Sequence, residues 1–194
     1  MPTSETRSMG ITETSGQSRP ASATAAAPLS IAACSTAPTD PNLDSRSLIT
    51  THANRWSAEG EPTIYLASDP GVGLAELGRH WDEQPDECSV WSVRLTLDAV
   101  ADLRDPGIRA ALGLPEDRTW VLDADRCSAL ASRLRSEGMH DGMVVPSVAF
   151  LDDPSRWNAV VFVDRLTRSL GEAVRVGSTV LRVGTTESKA PSTD

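Results

Sequence analysis

Apolar residues between positions 46 and 184 follow spacings that predict several strands. Trp91, Val93, Leu95 and Leu97 occupy alternate positions, which is the pattern of a strand with one buried face. Shorter runs rich in β-branched residues also predict strands. The predicted strands are residues 63–67, 90–97, 143–145, 159–163 and 174–183, the last with Gly177 as a bend.

Capping residues followed by proline mark the first two predicted helices. Ser68 or Asp69 precedes Pro70, and this signal predicts a helix that runs to about Trp81. Residues 105–106, an aspartate and a proline, repeat the signal and predict a second helix.

A third helix is predicted to open at Asp123 or Asp125 and to end at Gly138. The predicted strands and helices lack the regular alternation of a doubly wound parallel sheet. We therefore predict one compact α+β domain with a mixed sheet.

Both ends of the chain have low complexity. Residues 1–45 are dominated by Ser, Thr, Ala and Pro, and residues 185–194 have the same character. Such segments bury too little apolar surface to offset the entropy lost on folding, so we predict a disordered leader and a disordered tail. The folded domain is then expected at residues 46–184.

The net charge, the apolar runs and the cysteines limit the classes of binding partner and the cellular location that we predict. With 27 acidic and 18 basic residues, the chain would repel duplex phosphates over most of its surface, so no direct nucleic-acid partner is predicted. No apolar run is long enough for a membrane span. Residues 29–34 resemble a lipoprotein cleavage site only in part, since no basic segment precedes them and Pro28 interrupts the apolar run. The three cysteines match no zinc or redox motif, and we predict a cytoplasmic protein without membrane contact.

Arg55 and Glu76 are candidates for chemistry. Arg55 precedes the first predicted strand, and its planar guanidinium suits a pyrophosphate or a carboxylate. Glu76 stands among apolar neighbours on the first predicted helix, where a carboxylate is either solvated or partly buried with a function. The structural alternatives are a surface arginine packed on Trp56 and a solvent-facing glutamate.

Ser147 and Tyr65 are further candidates. Ser147 lacks the flanking glycines of a nucleophile elbow, which argues against a serine hydrolase. Tyr65, the only tyrosine, has the alternative of a half-buried ring with its hydroxyl at the rim. The three histidines fall at no metal-ligand spacing, so no metal site is predicted.

Taken in order, these residues resemble the RES-domain family, which is named for an arginine, a glutamate and a serine. Arg55, Glu76 and Ser147 stand in segments like those of the family, and the order and spacing agree over roughly residues 55–166. The matching segments are 54–57 with Gly60, 74–77 after the strand 64–67, and 145–148 followed by 157–162. Upstream of Arg55 the family has an opening strand with a further arginine, a place that the low-complexity leader occupies here.

The resemblance implies a fold similar to the ADP-ribosyltransferases and the cleavage of NAD⁺ between nicotinamide and ribose, with water or phosphate as acceptor. NAD⁺ would be a substrate, with inorganic phosphate as a possible co-substrate and no cofactor. Glu76 would stabilise the positive charge on the ribose, Arg55 would hold the pyrophosphate and Tyr65 would pack on the nicotinamide. Ser147 would orient the substrate or the attacking group, and Asn158 would line the site.

The resemblance also implies a toxin that is restrained by an antitoxin of helix-turn-helix type, which blocks the cleft. Two alternatives stay open. One is a transferase that moves ADP-ribose onto a protein from the same cleft. The other is a non-catalytic module that binds a nucleotide or a partner, which the unusual leader and the missing upstream arginine favour.

Overall fold

The computed structural model describes residues 29–35, 43–79 and 87–184, and eight strands of these residues form one sheet. The strands are β1 (Leu29–Ser35), β2 (Ile49–Thr50), β3 (Thr63–Ala67), β4 (Glu87–Leu95), β5 (Val100–Asp102), β6 (Gly142–Pro146), β7 (Trp157–Phe162) and β8 (Val174–Gly184). Their order is β5-β6-β7-β3-β1-β4-β8, with β2 paired to β3. Only the β5–β6 pair is parallel among the pairs described, so the sheet is mixed as predicted.

The α-helices of the described residues are α1 (Pro70–Gly78), α2 (Pro106–Ala111), α3 (Ala124–Glu137) and α4 (Leu170–Ala173). The caps are those that the sequence predicts. Asp69 accepts a hydrogen bond from the Val72 amide, Asp123 accepts one from the Arg126 amide, and Gly138 ends α3 in the left-handed conformation. Helix α1 ends at Gly78, earlier than predicted, and Trp81 lies outside the described residues.

Two layers of apolar side chains cover the two faces of the central strands. Met143, Val145 and Val160 pack with α3 on one face, whereas Val144 and Val161 pack towards α4 on the other. Successive residues of β6 and β7 are thus buried on both sides, as expected for strands at the centre of a layered α+β domain. The predicted fold class is confirmed.

One segment of the predicted disordered leader forms a strand in the structure. Residues 29–35 form β1, which lies inside the sheet and pairs with β4 along its whole length, from Leu29 opposite Leu95 to Ser35 opposite Ser89. A segment of small residues carries little local strand signal, and the pairing partners come from far along the chain. Residues 1–28 and 36–42 of the predicted leader and the whole predicted tail lie outside the described residues. None of the described helices is long and apolar enough to cross a membrane.

Gly177 lies at the predicted irregularity of β8. Val93 pairs with Val176 and Trp91 pairs with Thr179, so one extra residue of β8 is accommodated between these two pairs. A Cβ at Gly177 would come within 2.4 Å of the Ser92 hydroxyl oxygen, so a larger residue there would require the Ser92 side chain to rotate.

Candidate active site

A cavity of about 210 Å³ opens between β3, α1 and the loop that joins β2 to β3. Four of the predicted site residues line it, namely Arg55, Tyr65, Glu76 and Asn158. The fifth, Ser147, is fully buried directly behind the cavity wall. The structure therefore brings together all the residues that the sequence singles out.

Helix α1 delivers Glu76 to this cavity. Asp69 and Pro70 start the helix, and Val72 and Gly73 are buried against the sheet. Glu76 follows these residues by one helical turn and therefore lies on the same side of the helix, where it is half-buried. The glutamate faces the core side of α1 rather than the solvent.

One carboxylate oxygen of Glu76 is held by several donors. Oε1 accepts hydrogen bonds from Ser147 Oγ at 2.5 Å, the Val148 amide at 2.9 Å and Asn158 Nδ2 at 3.0 Å, with a longer contact to the Ala149 amide at 3.4 Å. Ser147 caps a short 3-10 helix, Val148–Phe150, at the end of β6, and its Oγ accepts a hydrogen bond from the Ala149 amide at 3.2 Å. The Val148 amide is in the first turn of this helix, where an amide has no partner within the helix, and it donates to Glu76 instead. No donor among the described residues bonds Oε2, so the carboxylate is fixed through one oxygen and keeps the other for a ligand.

Arg55 stands across the cavity on a tight loop that is closed by the pairing of Asn54 with Ser57. Its Nη1 donates to the Val121 carbonyl at 2.6 Å, which fixes the direction of the guanidinium. None of the ion pairs of the described residues includes Arg55, so its charge is not neutralised by a neighbouring carboxylate. A fixed and uncompensated guanidinium is suited to an anionic ligand.

Aromatic rings form another part of the wall. The Tyr65 hydroxyl shares a hydrogen bond of 2.9 Å with Ser57 Oγ, and burial raises the pKa of this phenol above its usual value. Trp56 is 5% exposed and packs edge-on against Trp120 with the ring centroids 6.0 Å apart. The Tyr65 ring is thus neutral and held in place at the cavity, which suits contact with a planar ligand group.

Cys127 lies close to Arg55 but has no role as a nucleophile. Its side chain is fully buried and its Sγ contacts the Val121 carbonyl at 3.5 Å. Burial raises the pKa of this thiol from 9.0 to about 11, and the nearby Arg55 charge opposes that rise only in part.

No group of three or more His, Cys, Asp or Glu residues in the described part of the chain is arranged to hold a metal ion.

A family model described as the RES domain matches residues 36–179. The chain belongs to the RES-domain family. Its structure is also similar to a chain in the crystal structure of the MbcT–MbcA toxin–antitoxin complex of M. tuberculosis, with a TM-score of 0.60 and 22% identity over 82% of this chain and 85% of that one. A search of curated protein sequences found no match.

Sequence reasoning missed several groups of this RES-domain site. The Val148 and Ala149 amides hold Glu76 and the Val121 carbonyl holds Arg55, but backbone groups leave no signature in the residue type. Trp56 lines the cavity, although the sequence suggests only a packing partner for Arg55. Its place next to Arg55 in the family segment was the available signal.

Proposed function

We propose that this RES-domain protein is the toxin of a toxin–antitoxin pair and depletes NAD⁺ by cleaving the bond between nicotinamide and ribose. The observation that carries the proposal is the Glu76 carboxylate, which is fixed at the cavity wall through Oε1 with Oε2 unbonded among the described residues. Family membership supports the same assignment.

The chemistry requires a fixed negative charge near the ribose. When the bond from C1 of the ribose to the nicotinamide nitrogen breaks, its electron pair leaves with nicotinamide and positive charge develops on the ribose, as in glycoside cleavage. A carboxylate that is already oriented stabilises this charge without reorganisation during the reaction. We assign this role to Glu76, whose Oε2 is also able to accept a hydrogen bond from a ribose hydroxyl.

Arg55 and Tyr65 fit the other parts of the substrate. A cavity of about 210 Å³ is smaller than the roughly 300–1,000 Å³ of pockets that enclose whole drug-sized ligands. We infer that only the nicotinamide riboside end of NAD⁺ enters it, with the diphosphate outside at the Arg55 guanidinium. Tyr65 then contacts the nicotinamide ring.

Ser147 receives a different role from the one that its motif suggests. Its hydroxyl donates to Glu76 and its side chain is fully buried, so we assign it the positioning of Glu76 rather than contact with the substrate. Asn158 lines the cavity and donates to the same oxygen, which makes it both a positioning residue and a polar wall.

An enzyme that consumes NAD⁺ needs restraint in the cell, and a chain of similar structure is part of a toxin–antitoxin complex. We therefore propose a cytoplasmic location and an antitoxin of helix-turn-helix type as partner, with any contact to DNA made by the antitoxin. The net charge of −9 is compatible with a basic partner surface.

Release of nicotinamide from NAD⁺ by the purified, partner-free protein tests the proposal. The expected result is release by the wild type and its loss in Glu76→Gln, and dependence on inorganic phosphate would distinguish phosphorolysis from hydrolysis. NAD⁺ labelled in the ADP-ribose part tests the transferase alternative, since label retained on protein would favour it. Binding of NAD⁺ by folded protein without any release would instead support a non-catalytic binding module.

A further inference from the structure

A second cavity, of about 260 Å³, lies on the sheet between β4 and β8. Arg94 and Arg175 stand directly opposite each other there. The neighbouring Val93 is 1% exposed and belongs to the core, so the two arginines project from the other face of the sheet. Two guanidinium groups therefore share one side of this cavity.

Neither arginine is paired with a carboxylate in the described part of the chain. Both are exposed, and no ion pair or side-chain hydrogen bond of the described residues involves either guanidinium. Like charges directly opposite each other in a sheet are destabilising. Acidic residues outnumber basic ones 27 to 18 here, so a pair of adjacent arginines without a bonded carboxylate is unexpected on composition alone.

Glu172 is a described carboxylate whose charge interacts with that of Arg175. Hydrogen bonds from the Ser169 hydroxyl and amide lower the pKa of the Glu172 carboxyl, and the charges of Arg168 and Arg175 add to this. The Glu172 carboxylate is thus engaged by Ser169, at 2.5 Å from its hydroxyl. It forms no hydrogen bond with Arg175.

The backbone at this point keeps space in front of the arginines. Gly177 lines the cavity at the bulge of β8, and a Cβ there would occupy space beside the Ser92 hydroxyl. The Ser92 hydroxyl donates to the Ser178 carbonyl over a long 3.3 Å, so it is able to rotate towards a ligand at small cost. Bulges of this kind commonly redirect side chains at binding sites.

We propose that the cavity between Arg94 and Arg175 binds a phosphate dianion, either free inorganic phosphate or the terminal phosphate of a small phosphomonoester. Two guanidinium groups supply paired donors and two positive charges, which match a phosphate group of charge about −1.5 to −2 better than a single carboxylate. The net charge of −9 disfavours a polyanion such as nucleic acid, whereas a local pair of charges attracts a small anion within a Debye length of about 8 Å.

This site is separate from the Glu76 cavity. Ser92 lies opposite Ala32, Ala32 opposite Ala67, and Ala67 opposite Asn158, so three strand spacings separate Ser92 from Asn158. At about 4.8 Å each, they amount to roughly 14 Å. Binding at the arginine pair therefore does not depend on the proposed NAD⁺ cleavage.

The test is a titration of the full chain with inorganic phosphate at constant ionic strength, followed by the side-chain Nε–Hε NMR resonances of the two arginines. Both resonances are expected to shift along one saturable curve. Arg94→Gln and Arg175→Gln should each raise the phosphate concentration at half-saturation by about 10-fold, as expected for loss of one charge-assisted pair of bonds. The matched control is Arg133→Gln, which removes an exposed arginine of α3 and should leave the curve unchanged.

Thermal unfolding gives a second readout. Phosphate should raise the Tm of the wild type, and Arg94→Gln should reduce that rise at the same phosphate concentration without lowering the Tm in phosphate-free buffer, since it removes a like-charge contact. A saturable curve with glycerol phosphate would identify the terminal phosphate of a monoester as a ligand, and saturation with inorganic phosphate alone would identify the free ion. The proposal would be overturned if the NMR chemical shifts change linearly with phosphate concentration, or if sodium chloride causes the same changes.

Discussion

Ser147→Ala tests how the RES-domain site holds its glutamate. The substitution removes the 2.5 Å hydrogen bond to Glu76 Oε1 and leaves the bonds from the Val148 amide and Asn158. A hydrogen bond to a charged group contributes about 1.5–3 kcal/mol. If the full contribution is lost in the transition state, kcat for nicotinamide release falls by about 10- to 160-fold.

The effect on KM should be small. Ser147 is fully buried behind the cavity wall, so its hydroxyl does not contact the substrate and KM should stay within about 3-fold of the wild-type value. The assay is steady-state nicotinamide release over a range of NAD⁺ concentrations, at a temperature well below the Tm of both proteins. The matched control is Ser155→Ala, an exposed serine whose amide and hydroxyl donate to the nearby Asp153.

A rise in KM with unchanged kcat would refute this reasoning. It would mean that Ser147 orients the substrate directly, as the motif alone suggests. Equal turnover by the Ser147 and Ser155 variants would show that the remaining donors suffice to hold Glu76.

Four further predictions concern the walls of the cavity and the structure around it. Tyr65→Phe loses the bond to Ser57 but keeps the ring, so nicotinamide release should stay within about 3-fold while stability falls by about 0.5–1.5 kcal/mol in urea unfolding. Cys127 should resist alkylation at pH 8 in the folded protein, measured by mass spectrometry of its peptide; labelling as fast as in urea would contradict its burial. Because folding raises the pKa of this thiol from 9.0 to about 11, the folded chain binds the proton more tightly there, so the free energy of unfolding should decline as pH rises through that range, and less so in Cys127→Ala. Gly138→Ala places a side chain at φ 66° and should cost about 1 kcal/mol in the same urea assay, whereas an unchanged midpoint would contradict the left-handed cap.

Local signals explain which elements the sequence could predict. Asp69 and Pro70 start α1, and Asp123 and Gly138 delimit α3, because caps act within a few residues of the helix ends. Strand β1 could not be predicted in the same way. Its small residues become a strand only by pairing with β4, more than fifty residues later in the chain.

The same difference between local and long-range determinants applies to the candidate active site. Arg55, Glu76 and Ser147 are recognised from short segments and their order. The bond between Ser147 and Glu76, however, joins residues 71 positions apart and depends on how β6 ends next to α1. The sequence therefore predicts which residues form the site but not that Ser147 acts on Glu76.

The central claim is that Glu76 stabilises the transition state of NAD⁺ cleavage. The most direct measurement compares NAD⁺ affinity and single-turnover nicotinamide release for Glu76→Gln, with Glu116→Gln, an exposed glutamate, as control. The glutamine keeps the shape of the side chain and an acceptor for Ser147, so affinity should change by less than about 3-fold while turnover falls by at least about 100-fold. An equal loss of affinity and turnover, or release at the wild-type rate, would contradict the role of Glu76.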